Sequence, residues 1–166
     1  GDVDTISLSE AKGRICAEDI RAPFDTPRTS NSAMDGFAIK FSDLEKQKKK
    51  SFNIIGSAFA GHPFCEKVKS GEAIKIMTGA PLPEGTDTVV INEETIVEHN
   101  LATFVEKIYE NQNIRRAGED LKFQETCVSK SQKIEVGDIG VLAALGITKI
   151  NVYRQIKVAY FSTGDE

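Results

Sequence analysis

Apolar and polar residues alternate with a period of two over many short stretches of the chain. Since successive side chains of a strand point to opposite faces, this alternation is typical of strands with one buried face. It predicts strands over residues 37–41, 52–60, 68–77, 88–91, 94–97, 103–108 and 148–153. Many short strands at close intervals are typical of a compact antiparallel barrel or sandwich, which is therefore the predicted architecture of the central part of the chain.

Two stretches carry a helical pattern instead. Residues 7–19 place small and apolar side chains on one face, and Ser7 with Glu10 three residues later forms a candidate capping box. Residues 136–146 predict a second, apolar helix that ends at Gly146. We expect this helix and the strand after it to pack against the first helix, so that two separated segments form one domain.

The predicted fold class is α+β and mainly β, in which a small discontinuous α+β domain contains an inserted, compact β-barrel-like domain. The discontinuous domain takes residues 1–30 and 128–155, and the inserted domain takes residues 31–127. Residues 156–161 are largely apolar and predict a further, buried strand that runs into a polar loop.

Composition and charge exclude several classes of partner. The chain has 166 residues, a formal net charge of -4 and one lysine-rich run, residues 46–50, which we interpret as a solvated hairpin loop; nucleic acid is not an expected partner. No apolar run approaches the ~20 residues that cross a bilayer, and the first residues lack the features of a signal peptide, so no membrane partner is expected. Cys16, Cys65 and Cys127 lack the spacing of a zinc site, and scattered free thiols favour a reducing, cytoplasmic location.

The stretch with the most candidate chemistry is residues 29–39, where small polar residues surround a single acid, Asp35, before an apolar segment. Small side chains let the backbone approach a ligand closely, and Gly36 is expected to adopt a positive φ at a sharp turn into the next strand. A plain Asp-Gly turn without a ligand is the alternative, since such dipeptides are common turn signals.

A second candidate loop lies within residues 76–85. An apolar strand runs there into a loop of Gly and Pro residues that contains one hydroxyl side chain, Thr78. The loop lacks the Lys-Ser/Thr pair of a P-loop, so it does not predict a nucleotide site of that kind.

A third candidate segment contains two cations, Arg115 and Arg116, just before two carboxylates, Glu119 and Asp120. Planar guanidinium groups suit phosphate binding because they donate two parallel hydrogen bonds. A surface ion pair between these arginines and the two carboxylates is the alternative.

In order and spacing, these motifs resemble the molybdopterin molybdotransferase family, which comprises bacterial MoeA and the carboxy-terminal E domain of gephyrin. The resemblance rests on five motifs across nearly the whole chain: Asn31-Ser32-Ala33-Met34-Asp35-Gly36-Phe37-Ala38, Met77-Thr78-Gly79-Ala80-Pro81, residues 115–120, residues 140–146 and Ser162-Thr163-Gly164-Asp165-Glu166. It implies the same insertion of a barrel into a discontinuous domain. It also implies that residues 156–166 are the first strand of a missing α/β molybdopterin-binding domain, so that the chain is a fragment of a longer enzyme.

The resemblance implies an activity in molybdenum cofactor biosynthesis. Molybdenum from molybdate is inserted into adenylated molybdopterin, AMP is released and the molybdenum cofactor is formed. Molybdate and adenylated molybdopterin are the implied substrates, and Mg²⁺ is the implied divalent ion. The fragment alone is expected to be inactive, because the family's site is shared between this barrel domain of one subunit and later domains of its dimer partner.

The resemblance also assigns roles to individual residues. Asp35, Thr78 and Glu166 match catalytic residues of the family. Asp35 is also the implied metal ligand, with metal binding and activation of water for adenylate cleavage as alternatives. The Thr78 hydroxyl and the amides of Gly79 and Ala80 are expected to bind an anion oxygen. The implied substrate-binding residues are Ser32, Gly79, Arg115, Arg116 and Asp120.

The implied partners are a second copy of the chain in a homodimer, a molybdopterin adenylyltransferase and downstream proteins that handle the molybdenum cofactor. A non-catalytic function stays open, because gephyrin uses the same fold as a scaffold that clusters membrane receptors. The joint presence of Asp35, Thr78, Arg115 and Asp120 favours the enzyme, since a scaffold has no need to keep them.

Overall fold

The structure is a computed structural model that describes residues 1–46 and 50–164. It is mostly β-structure with few helices. The strands are β1 Val3–Ser7, β2 Ile20–Arg21, β3 Asn31–Ser32, β4 Gly36–Ile39, β5 Ser51–Ala58, β6 Glu72–Ile76, β7 Thr88–Ile91, β8 Thr95–Glu98, β9 Leu101–Phe104, β10 Ile114–Arg115, β11 Thr126–Val128 and β12 Lys149–Tyr153. The α-helices are α1 Ser42–Lys46 and α2 Val136–Ala144, and 3-10 helices span Leu8–Glu10 and Asn92–Glu94. Within the described ranges, no helix has the length and apolar character needed to span a membrane.

The chain divides into two compact units. The first consists of Gly1–Phe24 and the chain from Phe123 onward, and we call it the terminal unit. The second consists of Asp25–Lys122, and we call it the sheet unit. The domain boundaries expected from the sequence, with an insertion over residues 31–127, stay a prediction.

A six-stranded sheet with the order β7-β4-β6-β5-β9-β8 dominates the sheet unit. It curls into a half-barrel. Neighbouring strands are antiparallel except for β5 and β6, which run parallel. The predicted, mainly β character is therefore confirmed, whereas the expectation of antiparallel pairing throughout is wrong at β5 and β6.

The connection between β4 and β5 does not close a hairpin, because β6 lies between these two strands. Helix α1 begins this connection, and the carboxylate of Asp43 anchors it by accepting hydrogen bonds from Ser70 Oγ over 2.8 Å and from Gly71 N over 3.0 Å. The predicted hairpin is therefore wrong. Residues 47–49 of the lysine-rich run lie outside the described residues.

Strand β4 is buried on both faces of the sheet. Phe37 packs in a cluster with Phe52 and Val90, while Ala38 packs in a second cluster with Ile74. A strand that is covered on both sides holds its ends in place, so the residues just before Gly36 start from a rigid position.

Gly36 is required for a close contact and not for a turn. A Cβ added at this position would lie 2.0 Å from the carbonyl oxygen of Val90 on β7, which no side chain can tolerate. Gly36 is not among the residues with a positive φ. The predicted left-handed turn at Gly36 is therefore wrong, and the close pairing of β4 with β7 is the reason for the glycine.

The predicted helix over residues 7–19 is wrong, since only the 3-10 helix Leu8–Glu10 forms there. Gly13 adopts a φ of 77°. Its amide donates to Ile134 O over 2.8 Å, and the amide of Cys16 donates to Gln132 O over 2.9 Å. These backbone donors are bonded to a distant segment, so they cannot form the i to i−4 bonds of a helix. The expected capping box of Ser7 with Glu10 is nevertheless present.

The rest of the terminal unit follows its predicted elements more closely. Helix α2 forms within residues 136–146, and Gly146 ends it with a φ of 74°. Leu142 of this helix packs in a core with Leu8 and Val152. This core is the expected packing of the second helical stretch on the first, although the first is a single turn.

The described residues beyond Tyr153 contain no strand. Their large apolar side chains are exposed: Ile156 88%, Val158 80%, Tyr160 91% and Phe161 86%. The buried strand predicted over residues 156–161 is therefore absent from this structure. The assignment of this segment to a further domain stays a prediction.

Candidate functional site

Asp35 and Thr78, two residues singled out by the sequence, are in direct contact. Thr78 donates both its backbone amide and its hydroxyl to Oδ1 of Asp35, each over 2.7 Å. These two hydrogen bonds, first the one from the amide and then the one from the hydroxyl, hold the pKa of Asp35 below its usual value because they stabilise the ionised carboxylate. Asp35 is therefore a fixed negative charge that is partly open to solvent.

The topology of the sheet explains why these residues meet. Gly36 at the start of β4 lies opposite Ile76 at the end of β6 in an antiparallel pair. Asp35 directly precedes the first strand and Thr78 closely follows the second, so both lie at the same edge of the sheet. Burial of β4 fixes this edge, and the two loops then extend from it.

The loop that carries Thr78 is bonded to β3. The amide of Gly79 donates to Ser32 O over 2.8 Å, and the amide of Ser32 donates to Ala80 O over 3.0 Å. Gly79 adopts a φ of 78°, a left-handed conformation that glycine reaches without steric cost. Buried Ser32 accepts a hydrogen bond at Oγ from Met34 N over 3.3 Å and donates to Met34 O over 2.5 Å. Ser32 thus stabilises the loop in front of Asp35.

The arginine segment joins the same arrangement through β10. Strand β10 pairs with β3, with Arg115 opposite Asn31. The amide of Ala117 also donates to Ser30 Oγ over 3.2 Å. The three candidate segments, each predicted separately from the sequence, are therefore brought together around β3.

Arg115 and Arg116 differ in how their charges are compensated. Arg115 forms ion pairs with Asp120 through Nη2 and with Glu119 through Nε, the latter over 3.5 Å. The hydrogen bond to Asp120 is the main reason why the pKa of Arg115 is raised. The ion-pair alternative is thus present at Arg115. Among the described residues, the exposed guanidinium of Arg116 has no ion-pair partner, so its charge is available to an anion.

The backbone amides of the Thr78 loop are already in use. Thr78 N donates to Asp35, Gly79 N donates to Ser32 O and Ala80 N donates to Met77 O over 2.9 Å. An anion contact through the amides of Gly79 and Ala80, as expected from the sequence, would require both bonds to break. The Thr78 hydroxyl donates its proton to Asp35, so its oxygen can only accept a further hydrogen bond. The Arg116 guanidinium remains as a donor that an anion could contact.

Asn113 and Asn92, which the sequence analysis did not identify, hold the Asp35 segment in place. Asn113 has a φ of 56°, its carbonyl accepts the amide of Ala33 over 2.9 Å, and its Nδ2 donates to Val89 O over 2.9 Å. The amide of Asn92 donates to the carbonyl of Asp35 over 3.2 Å. Asn tolerates a positive φ better than most residues, and that preference was the only sequence signal at Asn113.

The donor set around Asp35 is limited. No group of three or more His, Cys, Asp or Glu side chains in the described part of the chain could hold a metal ion. Oδ1 of Asp35 accepts both bonds from Thr78, and Oδ2 has no partner among the described residues. Protein-bound Mg²⁺ commonly keeps several waters and uses one or two carboxylates plus substrate phosphates, so this one oxygen fits it as a partial ligand. Glu166, the other acid predicted here, lies outside the described residues.

Comparison with known proteins identifies close relatives of the chain. The family model described as MoeA N-terminal region (domain I and II) matches residues 2–146. A molybdopterin molybdenumtransferase of Haemophilus influenzae is 46% identical over 162 residues, which cover 97% of this chain and 40% of that protein. A molybdopterin molybdenumtransferase of Staphylococcus epidermidis is 38% identical and is covered over 39% of its length.

A solved structure shares the fold. The crystal structure of a molybdopterin biosynthesis moeA protein from Pyrococcus horikoshii matches with a TM-score of 0.82 and 34% sequence identity, over 91% of this chain and 41% of that one. The chain therefore spans about 40% of the length of these relatives.

Proposed function

The chain belongs to the MoeA family, whose N-terminal region it matches, and on that premise we propose that it is part of a molybdopterin molybdenumtransferase. The proposed reaction inserts molybdenum from molybdate into adenylated molybdopterin and releases AMP. The relatives' names support molybdopterin and molybdenum as the substrates. The observation that carries the proposal is the paired hydrogen bond from Thr78 to Asp35, which holds one carboxylate in a set position at the edge of the sheet.

Asp35 acts in this proposal as a fixed anion. An acid with a lowered pKa is a weak proton acceptor at neutral pH, because efficient general bases have a pKa near the working pH. The geometry therefore favours cation binding or the orientation of a water molecule over proton abstraction. Oδ2 is the atom for this role, because Oδ1 is occupied by Thr78.

Mg²⁺ is the proposed divalent ion, with Asp35 as one ligand and substrate oxygens and water as others. When bound, it offsets negative charge on phosphate and molybdate oxygens. Thr78 fixes the direction of the free oxygen of Asp35 through its two hydrogen bonds to the other oxygen.

Arg116 is the proposed anion-binding residue of the third segment. Its guanidinium is exposed and has no ion pair among the described residues, so a phosphate or molybdate oxygen does not have to displace a carboxylate to reach it. Arg115 has a different role. Its bonds to Asp120 and Glu119 shape the turn after β10, and Ser32 and Gly79 hold the Asp35 and Thr78 loops together.

We infer a cytoplasmic homodimer that receives adenylated molybdopterin from a molybdopterin adenylyltransferase and passes the product to proteins that handle the molybdenum cofactor. Because the chain spans about 40% of its relatives, further parts of the site belong to the rest of the protein, and the fragment alone is expected to be inactive.

The test is molybdenum insertion by the complete parent protein, with wild type and Asp35→Asn assayed side by side in the presence of molybdate, Mg²⁺ and adenylated molybdopterin. We expect insertion and AMP release in the wild type and their loss in the variant. Absence of insertion in a folded wild-type protein would reject the enzyme.

A further inference from the structure

The terminal unit contains a concave pocket of about 330 Å³ that no part of the proposed reaction uses. Its lining residues all belong to this unit: Asp4, Arg14, Arg154, Gln155, Ile156 and Lys157. Three of these six side chains are cations and one is an anion, so the pocket has an excess of positive charge.

Backbone hydrogen bonds fix the position of half of this lining, namely Asp4, Arg14 and Arg154. Strand β1 pairs with β12, which puts Asp4 opposite Val152. The amide of Arg154 continues this pairing by donating to Asp2 O over 2.9 Å. The amide of Tyr153 donates to Ile15 O over 2.9 Å, which brings the neighbouring Arg14 to the same place. One half of the pocket is therefore built on paired strand ends, and the other half is formed by residues 155–157, which follow β12.

Arg14 is the most buried of the three cations that line the pocket, with only 15% of its side chain exposed. Its Nη2 donates to the carbonyl of Tyr153 over 3.2 Å and lies 3.8 Å from Oδ2 of Asp4. Its Nε is buried and has no hydrogen-bond partner among the described residues. A buried guanidinium normally satisfies its donors, so Arg14 is only partly compensated by the protein.

The single carboxylate of the pocket is shared. Asp4 accepts a hydrogen bond from Arg154 Nε over 3.1 Å while it also faces Arg14. Arg154 is further bonded to Asp2 over 2.9 Å, so its own charge is well compensated. Lys157 is exposed and has no ion-pair partner in the described part of the chain. Among the described residues, Lys157 is therefore the cation of the pocket without an ion pair, whereas Arg14 shares the one carboxylate of Asp4 with Arg154.

We propose that this pocket binds the phosphate group of a small molecule, with Arg14 and Lys157 as the residues that contact it. A phosphate carries up to two charges and several acceptor oxygens, so it can bond a guanidinium and an ammonium at once. The pocket is larger than one phosphate, and Ile156 provides an apolar wall for the rest of the ligand. The site is independent of Asp35, which belongs to the sheet unit.

The experiment is a titration of the isotope-labelled protein with inorganic phosphate, followed by amide chemical shifts, with acetate as a planar, singly charged comparison at the same ionic strength. We expect saturable shifts for residues 4, 14 and 154–157, with phosphate bound at least about fivefold more tightly than acetate. Lys157→Gln should weaken phosphate binding by about fivefold or more, and Arg14→Gln should abolish it if that variant keeps the wild-type circular dichroism spectrum.

Lys149→Gln is the matched control, because Lys149 is an exposed lysine of the same unit and the change in net charge is the same. It should leave binding unchanged. Equal affinity in Lys157→Gln and wild type, equal binding of acetate, or shifts confined to residues 115–116 of the sheet unit would each overturn the proposal. Lys157 is exposed, so the test remains decisive even if Arg14→Gln fails to fold.

Discussion

Thr78 directs two donors, its amide and its hydroxyl, at one oxygen of Asp35, and both hydrogen bonds measure 2.7 Å. The other carboxylate oxygen is left without a partner in the described part of the chain. Because the two oxygens have different partners, a substitution at Asp35 and a substitution at Thr78 can alter each oxygen separately.

Asp35→Asn should remove activity and keep the structure. The amide oxygen of Asn can accept both bonds from Thr78, while the charge and the second acceptor are lost. We expect molybdenum insertion by the complete parent protein to fall by about 100-fold or more, with a melting temperature that is lowered only slightly, since a single partly exposed loop carboxylate stabilises little. Glu98→Gln, an exposed acid on β8, is the matched control and should retain full activity. A variant as active as the wild type would remove Asp35 from the site.

Thr78→Val should raise the pKa of Asp35, because it deletes the hydroxyl donor and leaves the amide donor. The folded-state pKa of Asp35 is lowered, so ionised Asp35 contributes stability above its unfolded pKa of about 3.9, and this contribution is lost as the pH falls through the folded value. In the variant the folded pKa of Asp35 lies closer to its unfolded value, so the stability that ionised Asp35 contributes should be smaller and should be lost at a higher pH. The measurement is the carboxyl carbon chemical shift of Asp35 as a function of pH. Thr78→Ser keeps the hydroxyl and should titrate like the wild type.

Gly36→Ala should destabilise the sheet unit strongly. Its added Cβ would lie 2.0 Å from the carbonyl oxygen of Val90, which forces β4 and β7 apart. We expect a loss of about 3 kcal/mol in the free energy of unfolding, or failure to fold. Gly137→Ala in α2 is the comparison, since an added Cβ there has no atom within 4 Å and should stabilise the helix by about 0.5–1 kcal/mol. Equal unfolding midpoints in urea for the two variants would contradict this account.

Arg116→Gln should weaken the binding of molybdate to the chain, and the binding should fade with salt. Exposed charges are screened over about 10 Å at 0.1 M ionic strength and over about 3 Å at 1 M, so a contact with an exposed guanidinium is sensitive to salt. Arg115→Gln should act differently, since Arg115 is paired with Asp120 and Glu119; we expect it to loosen the turn after β10. Molybdate affinity that is equal at low and high salt would exclude this contact.

Local signals predicted some elements and failed for others for a physical reason. The prediction of a helix within residues 136–146 is confirmed, because its apolar residue Leu142 packs in the core and Gly146 adopts the positive φ that ends the helix. The helix over residues 7–19 is wrong because its amides bond to residues 132 and 134, and no local pattern announces a partner so distant. The parallel pairing of β5 with β6 was missed because the alternation of apolar and polar residues does not distinguish a parallel neighbour from an antiparallel one.

At the candidate site too, the sequence predicted some features and missed others. The motifs identified Asp35, Thr78 and Arg115 as residues of interest, and the structure places their segments around β3. The sequence could not show that the amides of Gly79 and Ala80 are occupied, because that depends on the docking of the Thr78 loop on β3. The positioning role of Asn113 likewise depends on a strand, β7, that lies more than twenty positions away.

The strand order also determines when the site can exist during synthesis. Asp35 and Thr78 are 43 positions apart in the sequence, and β4 acquires its neighbours only from β6 and β7, both of which are made later. A nascent chain that has released β4 and β5 exposes Asp35 without either of its donors. Contacts of such long range form slowly, because the chain loses conformational entropy in closing a large loop before the contacts stabilise it. During synthesis the carboxylate can therefore acquire its hydrogen bonds only after Thr78 has been made, and a shorter nascent chain has the acid without the site.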